Sequence, residues 1–233
     1  MDRQKGFSIL AFAAWLILML LLWLNSWASG NLHSFSTYLV AIYLIAMPVG
    51  AVRFIEKQSI IERFGIQAFK FLLLMLLIFT SLWVTYLSGV VDWTAFVSLV
   101  LAPIPEEIFF RGYILGRVTN GKTKLTLRRA LFAHLLASLI FALSHVFKYD
   151  LAGISFSFGF GLIMGFTYLM TGSILLPSIV HTGFNFLIIV SLVSESSILV
   201  FSLFLLIGFL ALGLSVWGFL VKGERGILAQ KSS

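Results

Sequence analysis

The stretch Pro105-Glu106-Glu107-Ile108-Phe109-Phe110-Arg111 lies inside a long apolar run, and its reading decides the fold. Two adjacent carboxylates and a guanidinium at membrane depth cost roughly 2.5–3.5 kcal/mol each on insertion scales. Packing alone gives no reason to place them there. Most other polar groups in the apolar segments can be read as serving this cluster.

The surrounding chain supports a membrane setting. Of 233 residues, 60% are hydrophobic and 11% charged, with mean hydropathy +1.06. That composition belongs to polytopic helical membrane proteins and leaves no room for a separate soluble domain. The apolar segments are Phe7–Trp27, Phe35–Val52, Phe71–Val91, Trp93–Gly116, Ala130–Phe147, Leu151–Met170, Ile174–Val193 and Ile198–Val221. Segments of this length cross lipid as helices rather than as barrel strands. The expected fold class is therefore all-α: a polytopic membrane protein of about eight transmembrane helices, forming one integral membrane domain over residues 1–233. Phe7–Trp27 is too long for a signal-peptide core and lacks a small-x-small cleavage site, so it reads as a retained first span. Pro103 and Pro105 stand just before the carboxylates and predict a break or unwound turn there.

The formal charge of +7 does not call for a nucleic-acid partner, because the cations fall in short loops. Arg3, Lys5, Arg53, Lys57, Arg63, Lys70, Arg117, Lys122, Lys124, Arg128, Arg129, Lys222, Arg225 and Lys231 alternate with connections that hold Asp92, Asp150 and Glu195, with Lys148 as their only cation. That bias puts both termini on the cytoplasmic side of the cell membrane. The absence of cysteine excludes disulfides, thiolate metal sites and a cysteine nucleophile. No internal repeat marks the chain as a transporter built from two halves.

Glu106 and Glu107 point about 100° apart on a helix and cannot face one reacting atom together. Arg111 follows Glu107 by four residues, the favourable acid-first spacing, so Glu107–Arg111 reads as a supporting ion pair that leaves Glu106 free to face a cavity. The plain structural alternative is a buried salt-bridge network without chemistry. His145 ends the pattern Phe141-Ala-Leu-Ser-His145; alone, it would more often be a hydrogen-bonded structural histidine. His181 and Asn185 are four apart and share one helix face, as a reactive pair or as an interhelical clamp. His33 and His134 read as solvated. The glycines at 159, 161 and 165, with Ser155, read as close helix packing. Counted at 1.5 Å per residue from the inner charges, Glu106 and His181 lie about 16 and 12 Å deep and His145 about 24 Å. The depths agree if Leu125–Ala133 lies along the interface and its span begins near His134.

Taken together, these residues resemble the CPBP family of CAAX proteases and bacteriocin-processing enzymes, which includes the type II CAAX prenyl endopeptidases. The E-E-x-x-x-R motif reads Glu106-Glu107-Ile-Phe-Phe-Arg111, F-x-x-x-H reads Phe141 to His145, and H-x-x-x-N reads His181 to Asn185. The approach to the last, from Gly165 through Tyr168, Gly172 and Pro177, also looks typical. The likeness covers residues 97–189, the core that carries the three motifs. It implies an intramembrane endopeptidase, open toward the cytoplasmic side, that hydrolyses a peptide bond of a membrane-associated peptide, prenylated or leader. By motif match, Glu106, His145, His181 and Asn185 would be catalytic, with Glu107 and Arg111 supporting them. Glu106 and His145 would activate water, and His181 and Asn185 would form the oxyanion site. No cofactor is favoured. The alternative is zinc held by Glu106, His145 and His181, against which stand the lack of H-E-x-x-H and the poor ligand Asn185. A second class is a non-catalytic membrane-binding or bacteriocin-immunity protein of the same fold, and a third an ion-coupled transporter using Glu106. The implied partners are membrane lipid and a peptide or protein substrate; the oligomeric state is open.

Overall fold

The computed structural model describes residues 3–88, 96–119 and 127–193, and every regular element among them is helical. The chain runs through α1 (Arg3–Trp27), α2 (Gly30–Gly50) with a π-helical extension π1 (Ala51–Ile55), the short α3 (Ile60–Phe64) and α4 (Ala68–Ser88). The motif helix is assembled from four pieces: π2 (Val97–Leu101), α5 (Pro103–Glu107), π3 (Ile108–Leu115) and α6 (Gly116–Thr119). Then follow α7 (Leu127–Leu143), α8 (Leu151–Thr171) and α9 (Leu175–Val193). The expected span Ile198–Val221 and residues 89–95 lie outside the described residues.

Among the described residues, three helical stretches are long and apolar enough to cross a membrane, Leu10–Trp27, Leu32–Glu56 and Leu151–Thr171; Ala68–Trp83, Ala130–Leu143 and Leu175–Ile188 are apolar but shorter. The protein is thus an all-α membrane protein. Its outer faces are apolar, and its buried polar and small residues collect at helix contacts. On α7, Leu131, Phe132, Leu135, Leu136 and Leu139 are exposed, whereas Ala133, His134, Ala137, Ser138 and Phe141 are buried. With no hydrophobic gain between helices in lipid, small and hydrogen-bonding residues collect at the contacts.

The motif helix occupies the centre. Phe109, Phe110, Arg111, Tyr113 and Leu115 are fully or nearly fully buried; α2, α7 and α8 pack around them, and α9 packs on the preceding pieces π2 and α5. The α1–α2 pair closes through Asn25, whose side-chain oxygen accepts from Ser36 and Thr37, and through Tyr43, whose hydroxyl donates to the Ala14 carbonyl at 2.8 Å. Asp150 caps α8 by accepting from the Gly153 amide at 2.9 Å, and Gly172 ends that helix in the left-handed conformation.

Three expectations need correction. Pro103 and Pro105 do not break the motif helix: Ala102 and Ile108 keep right-handed helical backbone on either side of α5. The winding widens instead, through π2 and π3. Pro103 and Pro105 cannot donate to the carbonyls of Leu99 and Leu101, which lie in π2, and a π turn there skips them; π3 lies downstream of both prolines and is not explained by them. Second, α7 is a single helix from Leu127, without a separate interfacial piece before His134. Third, His134 is buried rather than solvated, with its Nδ1 lacking a partner. It lies under Gly165, where a Cβ would come within 2.6 Å of the imidazole.

Candidate active site

Glu107 is wholly buried, and its Oε1 accepts two hydrogen bonds. One comes from Arg111 Nη1 at 3.1 Å, one turn away on the motif helix. The other comes from His181 Nδ1 at 2.9 Å, on α9. Arg111, also buried, donates through Nη2 to the Gly161 carbonyl on α8 at 3.2 Å, and its guanidinium lies 4.5 Å over the Phe141 ring on α7. One ion pair therefore ties α7, α8 and α9 to the motif helix. The charges are compensated within the bundle, which a buried carboxylate and guanidinium require.

Glu106 is placed differently. Its side chain retains 22% exposure, and its Oε2 lies 3.9 Å from His181 Nε2. The 100° offset between neighbours on a helix thus sends one carboxylate into the bundle and the other to its open side. His181 stands between them. Because a carboxylate can only accept, Nδ1 of His181 carries the proton, and Nε2 faces Glu106.

His145 follows α7, partly buried. Its Nδ1 donates to the Phe141 carbonyl at 2.9 Å, which leaves Nε2 free of that bond. Its ring stacks on Tyr149 with centroids 5.6 Å apart and meets Phe141 edge-on at 4.7 Å. Phe141 in turn meets His181 edge-on at 6.1 Å, so both imidazoles contact one phenyl ring. Phe160 closes the far side of His181, with centroids 4.8 Å apart. Asn185 lies one turn beyond His181 on α9, partly buried. Among the described residues, no three His, Cys, Asp or Glu side chains form a set that could hold a metal ion.

The three motifs thus meet. Sequence reasoning placed the Glu107–Arg111 pair but missed the second partner of Glu107, His181. It also missed the Gly161 carbonyl and Phe160. Phe141 carried a signal, since the F-x-x-x-H spacing puts its carbonyl one turn before His145. Gly161 and Phe160 sat in a run legible only as packing.

Residues 88–187 match the Rce1-like family model, described as type II CAAX prenyl endopeptidase Rce1-like. No curated protein and no solved structure matches the chain. The Rce1-like segment contains all three motifs and agrees with the resemblance read from them. At the level of the family, the match supports a CAAX-type intramembrane protease. It begins at Ser88, the last residue of α4, so α1 to α3 and nearly all of α4 lie outside it.

Proposed function

We propose that this protein is an intramembrane endopeptidase acting on a membrane-associated peptide, prenylated or leader, from the cytoplasmic side. The observation that carries the reading is the placement of His181 between a buried carboxylate that holds its Nδ1 and a half-open carboxylate facing its Nε2.

Peptide hydrolysis needs an activated water and a stabilised oxyanion. Glu106, helped by His145, takes a proton from water, whose oxygen attacks the scissile carbonyl. The carbonyl oxygen becomes an oxyanion, which accepts from His181 Nε2–H and the Asn185 amide. His181 acts here as the imidazolium, with Nδ1–H held by Glu107. Such donors act strongly in an apolar surround and need no reorganisation. Glu106 then passes its proton to the leaving nitrogen. Glu107 and Arg111 hold His181 and the helices in place and touch no reacting atom. No step in this scheme passes through a metal.

The test is cleavage of a fluorogenic farnesylated CAAX peptide, and of its unprenylated counterpart, by the protein in proteoliposomes. His145→Ala and His181→Ala should each lower kcat by about 100-fold or more in a folded protein. Exhaustive chelation should leave wild-type activity unchanged. Activity lost on chelation and restored by zinc would reject the metal-free scheme. Undiminished cleavage by both histidine variants would reject the site.

A further inference from the structure

The short helix α3 packs beside the contact between the two elements that carry the reacting groups, where Ile174 also approaches Gly112, and it touches both. Ser59 caps it by accepting from the Glu62 amide, and Gly65 ends it in the left-handed conformation. Four contacts then fix its position. The Phe64 ring is 1% exposed and lies against Gly112 on the motif helix, where a Cβ would sit 2.7 Å from the ring. The Phe64 carbonyl accepts from the Ile174 amide at 3.0 Å, in the turn that opens α9. Gly65 lies against the Gly172 carbonyl and Ser173, leaving no room for a side chain. Glu56, just past π1, accepts from Arg63 Nε on α3 at 3.2 Å and from Arg117 Nε on α6 at 2.8 Å.

Each contact pins α3 to one of two bodies. Gly112 and Arg117 belong to the motif helix, which carries Glu106 and Glu107. Gly172, Ser173 and Ile174 belong to the turn that launches α9, which carries His181. Ile174 is seven residues before His181, so its placement passes along about 10 Å of rigid helix. We propose that α3 is a positioning wedge that sets the spacing between the two glutamates and His181, with Phe64 and Glu56 as its positioning residues. None of these residues touches the reacting groups. The wedge lies outside the Rce1-like segment, so that segment depends on the N-terminal part of the chain for its alignment. A misplacement of about 1 Å can lower turnover by about 100-fold, so a wedge of this kind acts on kcat rather than on substrate binding.

The inference rests on the proposed hydrolytic role of Glu106 and His181 for its kinetic arm only. Its spectroscopic arm reads side-chain placement alone. The chain has four histidines, so ¹⁵N-histidine labelling in detergent micelles or nanodiscs can resolve His181, whose Nδ1–H bonded to Glu107 gives a strongly downfield proton. Gly112→Ala puts a methyl group against Phe64 at 2.7 Å and, less tightly, against Ile174 at 3.1 Å; rescue by Phe64→Leu is what assigns the effect to α3. It should shift or abolish that signal and lower kcat for the farnesylated peptide about tenfold or more, with KM unchanged. Phe64→Leu added to Gly112→Ala makes room and should restore both. Glu56→Gln keeps the side-chain shape, weakens the ionic tie and should shift the same signal, which decides the matter if Gly112→Ala does not fold. Glu62→Gln, on the exposed side of α3, should change nothing. An unshifted His181 signal in the Gly112 and Glu56 variants overturns the wedge, whatever happens to activity. A shift that Phe64→Leu fails to reverse overturns it too. A wild-type protein that cleaves neither peptide but shows the shift and its rescue retains the wedge and loses the hydrolase.

Discussion

Glu106 and Glu107 are neighbours with identical side chains, and the fold gives them opposite environments. Glu107 has no exposure and two partners, Arg111 and His181; Glu106 keeps 22% exposure and faces His181 Nε2 at 3.9 Å. Removing one partner of a buried pair leaves an uncompensated charge, at about 3–5 kcal/mol. Glu107→Ala should therefore lower stability by about that amount, measured by denaturation in detergent, because it strands Arg111. Glu106→Ala should stay within about 1 kcal/mol of wild type. Equal losses in the two variants would contradict the division of roles. Half of this was legible in the sequence. The i,i+4 spacing gave Glu107–Arg111, a local contact. The Glu107–His181 bond joins residues 74 positions apart, and nothing local signals a contact that only the bundle creates.

At the scale of elements, glycine spacing on α8 predicted close packing without saying where. The structure separates the positions. A Cβ at Gly165 would meet the His134 imidazole at 2.6 Å, and one at Gly161 would meet Ser138 at 3.2 Å, whereas one at Gly159 would meet nothing within 4 Å. Gly165→Ala should thus destabilise by about 1–3 kcal/mol through overpacking. Gly159→Ala should be neutral or slightly stabilising, since alanine is the better helix former. Thermal melts of the two variants check the contrast, and a reversed order would contradict the α7–α8 packing. The pattern small-x-x-x-small marks a face but not its neighbour, which is why His134, buried under Gly165, read as solvated. The prolines taught a similar lesson. Their sequence signal is a missing N–H, and the helix met it by widening into π2 just before α5 rather than by breaking.

For the whole molecule, composition and segment length were enough to read an all-α membrane protein, because lipid admits few backbone solutions. Depth was harder. Residue counts from the loop charges put His145 deeper than Glu106 and His181, yet all three motifs meet in the bundle, and α7 runs unbroken from Leu127. Loop charges mark the side of a membrane but are a poor origin for depth, since helices tilt and their flanking cations snorkel. The orientation itself can be read directly, because the chain has no cysteine. Single cysteines replacing Arg53, after α2, and Lys148, between α7 and α8, both exposed, should react with an impermeant maleimide from opposite sides, Arg53→Cys from the cytoplasmic one. Labelling of both from the same side would contradict the expected topology.

A single substitution bears most directly on whether the four polar residues form a hydrolytic site. Glu106→Gln preserves the shape of the half-open carboxylate beside His181 and removes its capacity to accept a proton. In proteoliposomes carrying the farnesylated CAAX peptide, wild-type protein should release the product. The folded Glu106→Gln protein should be slower by about 100-fold or more. Product formation by Glu106→Gln at the wild-type rate would contradict the role of Glu106 as the base.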